Sequence, residues 1–413
     1  MTSFFLQNFG CRVNQAESFE WADELQRLGL RLEAHPFRSD LVVVNTCTLT
    51  ARADRDARKF LARVGRENPA ARVVVTGCLV ERSRPELESL PNVTLVSNAD
   101  KEGLVRRVLG ADPPAEGPVP SRFRARGLLK VQDGCDAHCT FCVIPAVRGR
   151  SRSLDPATAV AKLGALRARG FREVVLTGIH LSAYGRDLTP PSSLLALLRA
   201  LDKVPGRPWM RLSSLDPRTL DGELIEFLAA SRLVRPHFHL SLQHGSDPVL
   251  ARMGRRSRVD EYRRILLDLR RLSPEAGLGA DLITGFPGES EDDFQAMVDF
   301  VKDSPLTYIH AFSYSPRPGT PAASWPGVDP AVVRRRTSRL RKLSLAKNRA
   351  FRCSLIGRTL EAVVIRTGGG RTELLTSNYL KVFAPAADRA VGEAVRVTLE
   401  RDGDPAAWGP FRG

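Results

Sequence analysis

The sequence predicts an α/β protein in three parts: an N-terminal doubly wound parallel sheet, a central partial (β/α)6 barrel and a small C-terminal antiparallel β-barrel. Three observations carry this. Short apolar runs such as LVVV and VVVT alternate with helix-length amphipathic stretches through the first hundred residues, the rhythm of buried parallel strands joined by helices. Six further strand–helix repeats occupy the middle of the chain. Beyond residue 356 the pattern changes to short strands punctuated by Gly368, Gly369 and Gly370.

In order, strands are expected at 3–8, 41–46, 72–76 and 93–96, with helices at 15–28, 54–64, 84–90 and 102–109. Asn14 and Glu17 read as the start of the first helix and Gly29 as its stop. Residues 111–120 carry four prolines and no periodicity, so they read as a linker. Barrel strands are expected at 128–133, 173–177, 209–213, 238–242, 279–284 and 308–313. Helices fall at 157–169, 193–201, 220–229, 260–272 and 291–303. A basic helix follows residue 329, then four strands at 360–366, 371–376, 379–383 and 394–400. The domain boundaries that result are 1–112, 121–350 and 353–413.

Composition narrows the function. Of 413 residues, 43% are hydrophobic and 26% charged, as in soluble globular proteins. No apolar run approaches the roughly 20 residues of a membrane helix, and the first residues lack a signal-peptide pattern; a cytoplasmic location without membrane contact is expected. The net charge of +16 favours a polyanionic partner, and nucleic acid is the first candidate. Residues 331–353 hold nine Lys or Arg and no Asp or Glu. Arg122, Arg124, Arg126 and Lys130 make a second basic cluster; Arg148, Arg150 and Arg152 make a third.

Seven cysteines are an odd number for a disulfide framework, and clustered cytosolic cysteines more often bind metal. Cys135, Cys139 and Cys142 form C-x3-C-x2-C after the first barrel strand, where barrels of this type bind ligands. Three thiolates hold three irons of a [4Fe–4S] cluster and leave the fourth open to S-adenosylmethionine (SAM); a zinc site completed by His138 is the alternative. Cys11, Cys47 and Cys78 are far apart in sequence, yet each comes just after the end of a predicted parallel strand. Parallel strands end at one sheet edge, so the three thiols are expected to share a crevice and hold a second cluster. Gly10 and Gly77 precede two of them and clear space for close approach. Cys353 reads as a small buried hydrophobe.

The segments GCRVNQAES, VVNTCTLTARADRDARK, VVVTGCLVE, VQDGCDAHCTFCVIPAVRGRSRS, LTGIHLSAYG, RLSSLDP, HLSLQHGSDPVLARM and ADLITGFPGESEDDF resemble the methylthiotransferase family of radical-SAM enzymes. The resemblance covers nearly the whole chain and implies an N-terminal methylthiotransferase domain, a radical-SAM core and a C-terminal TRAM domain. It is greatest for the MtaB type, which implies methylthiolation at C2 of N6-threonylcarbamoyladenosine 37 in the tRNA anticodon loop. The MiaB type acts instead on isopentenyladenosine, and the RimO type on a ribosomal-protein aspartate. By this resemblance two [4Fe–4S] clusters and SAM are the cofactors. The Cys135/Cys139/Cys142 cluster reduces SAM to a 5′-deoxyadenosyl radical, and the Cys11/Cys47/Cys78 cluster holds the sulfur to be delivered. The electron donor and sulfur source stay unidentified. His244 and Ala146 depart from the family, which often has Ser and Tyr there.

Strand-end positions suggest SAM contacts at Thr177, Gly178, Ser213, Asp216, Gln243 and Gly285, with Asp216 accepting from ribose hydroxyls or an ammonium. His180 is expected to face the cavity, and His237 and His239 to lie in the core. Tyr379, Phe383, Trp408 and Phe411 are candidates for stacking on RNA bases, although core packing is the commoner fate of such aromatics.

Overall fold

The computed structural model describes residues 1–114, 124–385 and 389–400. Part of the expected linker, Arg122, Trp408 and Phe411 lie outside them. The chain divides into two compact units, residues 1–121 with 133–152 and 315–323, and residues 122–132 with 153–314 and 324–413.

The first unit is built on β1 (Ser3–Asn8), α1 (Arg12–Arg27), β2 (Arg31–Leu32), β3 (Leu41–Thr46), α2 (Ala51–Glu67), β4 (Arg72–Gly77), α3 (Cys78–Glu88), β5 (Val93–Val96) and α4 (Leu104–Leu109). The strands form one parallel sheet in the order β2-β1-β3-β4-β5. That order reverses direction between β1 and β3, and a crevice opens outside the carboxyl ends at such a point. Every residue of β3 is buried, as a strand covered by helices on both faces must be. Val42 and Val44 pack with Ala57, Leu61 and Val64 of α2.

Two predicted helix starts move. Asn14 lies inside α1, and Cys11 takes the position before it. The Asn14 amide instead donates to the Phe9 and Thr46 carbonyls at 3.0 and 2.8 Å, tying two strand ends together. Helix α3 begins at Cys78 rather than 84, and a kink at Ser83 ahead of Pro85 gave its second half the look of a separate start. The two-residue β2 is too short to leave a period in the sequence.

The second unit opens with β6 (Gly127–Lys130). The chain passes between units at the short strands β7 (Gln132–Asp133) and β8 (Arg152–Ser153), with α5 (Ile144–Arg148) between them. Next come α6 (Pro156–Ala168), β9 (Glu173–Thr177), α7 (Leu194–Asp202), β10 (Trp209–Leu212), α8 (Gly222–Ala230), β11 (His237–Gln243), α9 (Asp247–Arg252), α10 (Val259–Leu272), β12 (Gly277–Thr284), α11 (Glu291–Asp303), β13 (Tyr308–Ser313) and α12 (Pro330–Cys353). Six parallel strands run in the order β6-β9-β10 and β11-β12-β13, and single parallel bridges, Met210 to Val234 and Leu215 to Leu240, link the two triplets. This is the expected partial barrel.

The C-terminal segment β14 (Thr359–Gly368), β15 (Arg371–Thr376), β16 (Lys381–Pro385) and β17 (Ala394–Thr398) forms a four-stranded antiparallel sheet in the order β16-β15-β14-β17. It packs on the strand-start end of the barrel. Arg211 of β10 donates to the Ser377 and Thr376 carbonyls at 3.1 and 3.2 Å, and Tyr379 stacks on His237 at 4.1 Å. Tyr379 is thus engaged in packing rather than offered to a base. No helix among the described residues is long and apolar enough to cross a membrane.

Glu173 anchors that end. Its carboxylate takes Arg211 at 2.9 and 3.1 Å and Arg126 at 3.3 Å, with Arg235 at 3.7 Å. Burial, the largest single influence, would raise its pKa, but Arg211, Arg126 and Arg235 together outweigh burial and hold the carboxyl below its usual range. A depressed carboxyl contributes stability that is present above the unfolded-state pKa and lost as pH falls through the folded value. Glu173→Gln, by leaving Arg211 buried without its counter-charge, is expected to cost roughly 3–5 kcal/mol. Urea unfolding from pH 7 to pH 3 checks this: the variant starts lower and shows a shallower loss toward acid.

Candidate functional site

All six cysteines of interest lie in the first unit. Asn8, Asn45 and Thr76 are register partners across β1, β3 and β4. Cys11, Cys47 and Cys78 come three, two and two residues after them, which brings the three thiols to one sheet edge. Gly10 has φ +101°, and a side chain there would meet the Cys47 sulfur at 2.6 Å. Gly77, at φ +100°, would strike the Thr46 backbone. The glycines are needed for Cys47 and the neighbouring strand to approach, a nearer cause than clearance for a cluster.

Burial pushes the Cys11 thiol up, with Arg148 opposing. Burial, then Cys11, pushes Cys47 up to about 12. Ligation of such thiols requires displacement of their protons, and the surroundings supply positive charge. Arg148 is buried; it donates to Glu17 at 3.1 Å and Asp133 at 2.7 Å, and also bonds the Asn14 side-chain oxygen. Lys101 donates to Glu17 at 2.7 Å and to Asn45 at 3.1 Å. Burial works against the charge on Arg148, yet Glu17 and the nearby Cys78, Asp133 and Cys11 raise its pKa well above the ordinary value.

The second trio lies on the loop before α5. Gly134, at φ +69°, folds this loop back, and any side chain there would overlap the Arg150 carbonyl. The Cys135 amide donates to Gly149 O at 3.1 Å and the Cys142 amide to Cys139 O at 3.1 Å. Backbone amides also point at sulfur: Ala137 N to Cys135 Sγ at 3.4 Å, and Leu49 N to Cys47 Sγ at 3.5 Å. Such bonds are among the means by which proteins tune iron–sulfur clusters. Undisulfided thiols in trios, amides aimed at sulfur and a buried guanidinium beside them fit two cluster sites.

In the second unit, Thr177 ends β9 with its hydroxyl buried and unpartnered among the described residues. Gly178 N donates to Ser213 Oγ at 3.4 Å. Gln243 ends β11 at φ +75°, an uncommon backbone state for a non-glycine residue, where the β11–β12 register shifts. These four sit at the strand-end edge where barrel chemistry takes place. Asp216 sits there too, but both its oxygens are engaged, by Arg218 at 2.6 Å and Arg255 at 3.1 Å. Burial raises its carboxyl, and these cations bring it below its usual range; it braces the loop before any ligand arrives. His180 lies 3.6 Å from Asp216, and burial lowers its imidazole against that carboxylate's pull. Space beside Gly178 is filled by Gln132, and beside Gly285 (φ +72°) by Val333, so packing accounts for both glycines.

Other expectations change. Cys353 is exposed at the end of α12, not buried, because the helix turns its final residue outward there. Arg148 leaves the basic surface cluster for the buried network, and Arg126 pairs with Glu173. Within α12, Arg336 is buried against Glu289 at 2.5 Å, while Arg334, Arg335, Arg339, Arg341, Lys342 and Arg349 remain exposed. His244 is fully buried, 3.2 Å from the same Glu289, so the imidazole has a polar partner in the core. His237 and His239 are buried, as expected. Sequence reasoning missed Glu17, Lys101 and Asp133. No spacing marks them, since Glu17 and Asp133 meet Arg148, and Lys101 meets Glu17, only through the fold.

Residues 129–301 match the radical SAM superfamily, and residues 3–97 match a family described as uncharacterized protein family UPF0004. The chain is 35% identical to the threonylcarbamoyladenosine tRNA methylthiotransferase MtaB of Aquifex aeolicus, over 95% of this chain and 99% of that protein. It is also 35% identical to a tRNA-2-methylthio-N(6)-dimethylallyladenosine synthase of Parafrankia, over 91% and 80%, and 33% identical to the ribosomal protein uS12 methylthiotransferase RimO of Moorella thermoacetica, over 86% of each chain. The solved structure of the radical SAM methyltransferase TsrM from Kitasatospora setae shares the fold, with TM-score 0.56 at 18% identity over 78% of this chain and 77% of that one. Radical SAM membership implies SAM and a [4Fe–4S] cluster. With these relatives matched nearly end to end, the chain belongs to the radical-SAM methylthiotransferase family and is an enzyme of that class.

Proposed function

We propose that this enzyme adds a methylthio group at C2 of N6-threonylcarbamoyladenosine 37 in the anticodon loop of tRNA, using SAM and two [4Fe–4S] clusters. The observation that supports the reading is that all six cysteines fall in one compact unit, where buried Arg148 bonds Glu17 on one side and Asp133, two residues before Cys135, on the other. Relatives named for threonylcarbamoyladenosine span the chain from end to end at 32–35% identity.

Cys135, Cys139 and Cys142 would hold the cluster that leaves an iron for SAM, and Cys11, Cys47 and Cys78 the cluster that carries sulfur. Once bound, these groups supply SAM cleavage, removal of hydrogen from an unactivated carbon, and sulfur delivery. The chain's own residues do the rest. Buried Arg148 and Lys101 offset the charge of ligated thiolates. Amides of Ala137 and Leu49 stabilise sulfur charge. Thr177, Gly178, Ser213 and Gln243 form the strand-end shelf for SAM, while Asp216 fixes Arg218 and Arg255 beside it. The exposed face of α12 holds RNA phosphates.

Nucleoside mass spectrometry of tRNA from a deletion strain tests the assignment. Loss of the methylthio form of threonylcarbamoyladenosine is expected; its retention, with no redundant enzyme present, would defeat the reading. Binding of tRNA is expected to weaken steeply with salt, since each neutralised phosphate releases counterion. Six exposed cations on α12 imply a strongly negative slope, and Arg339→Gln with Arg341→Gln should reduce it by about 2. Filter binding at increasing salt measures it.

A further inference from the structure

Strands β11, β12 and β13 alternate cleanly. Phe238, Leu240 and Leu242, Leu278, Ala280 and Leu282, and Ile309 and Ala311 are buried on the helix-covered face. The opposite, inner face carries His239, Asp281, His310 and Phe312. Its floor is closed by the stacked rings of His237, Tyr308 and Tyr379. Above that floor three polar side chains converge. Asp281 Oδ1 lies 3.4 Å from His239 Nε2 and 3.3 Å from His310 Nδ1. Ser214 Oγ lies 2.9 Å from the other His239 nitrogen and fixes that ring. The His310 side chain is 53% exposed and Phe312 46%, so the inner face is open at this level.

We propose that His310, oriented by Asp281 and backed by His239, is the specificity determinant that receives the polar N6 tail of the substrate base. This rests on the function proposed above and deepens it. The depth fits: the trio lies three or four residues below the strand ends, roughly 10–13 Å at about 3.3 Å per residue. From C2 across adenine to the end of a threonylcarbamoyl tail is roughly 10 Å by bond lengths. A base with C2 at the reacting end of the barrel therefore sets its tail at this level. The chemistry fits as well. With Nδ1 turned to Asp281, the second His310 nitrogen is left for a tail hydroxyl or ureido group, and Phe312 offers a wall for the threonine methyl. An isopentenyl tail would cover a carboxylate and two imidazoles without replacing any hydrogen bond lost to water, a costly burial. Sites built to hydrogen-bond a substrate reject analogues lacking the group far more strongly than apolar pockets reject polar ones.

The test uses cluster-loaded enzyme and anticodon stem-loop RNAs carrying either threonylcarbamoyladenosine or isopentenyladenosine at the target position. Wild type is expected to prefer the first. His310→Phe is expected to lose about 100-fold in kcat/KM for the threonylcarbamoyl loop, mainly through KM, and to lose most of the preference, with iron content as in wild type. Asp281→Asn should move in the same direction by less. If both variants keep the wild-type preference within about twofold, the proposal is overturned. So it is if a chelator alone abolishes the preference, which would make the trio a cation site. Wild type that turns over only the isopentenyl loop would overturn the substrate assignment itself, a result distinct from the variants' failure.

Discussion

Cys135→Ser is expected to remove SAM cleavage altogether, a loss on the order of 10⁴-fold or more, while iron falls from about eight to about four per chain. The loop has no spare thiol: Cys135, Cys139 and Cys142 are its three, and the other four cysteines of the chain sit elsewhere. A serine hydroxyl is a hard, protonated oxygen at neutral pH and does not replace a thiolate on iron. The loop itself should survive, since Gly134 and the Cys135 amide bond to Gly149 need no sulfur. Anaerobic iron analysis with quantitation of 5′-deoxyadenosine measures both effects. Full iron content together with normal 5′-deoxyadenosine formation would remove Cys135 from the ligand set.

Gly10→Ala should act nearly as strongly through the other trio, although it changes no thiol. The added methyl would sit 2.6 Å from the Cys47 sulfur, and φ +101° is strained for any side chain. Cys47 is buried between its neighbours and has no room to retreat. The expected result is loss of about four irons and of methylthiolated product, roughly 100-fold or more, with 5′-deoxyadenosine formation retained. A separation of that kind would show two cluster sites with different tasks. Wild-type iron content in Gly10→Ala would mean that the first trio is not a cluster site.

Much of this was legible in the sequence because it depends on short-range pattern. The runs LVVV and VVVT demand buried strands, and strands with helices between them demand a parallel sheet. In a parallel sheet the residues just past each strand's carboxyl end share one edge. That chain of reasoning brings Cys11, Cys47 and Cys78 together without coordinates. The C-x3-C-x2-C loop needs even less. Its three thiols are close because the chain between them is short.

Partners that meet by tertiary packing left no such trace. Arg148 looks like one member of an exposed basic run, and only the return of the 133–152 segment to the N-terminal unit puts it against Glu17 and Asn14. Asp216 looks like an open acceptor at a strand end until Arg255, 39 residues on, takes up one oxygen. His239, Asp281 and His310 come from three strands, and period-two alternation alone does not say which face closes and which stays open. Local sequence thus determined the fold class, the two trios and the family. The tertiary structure decided which charges are buried and paired, because the desolvation and pairing that set a side chain's role depend on neighbours drawn from distant parts of the chain.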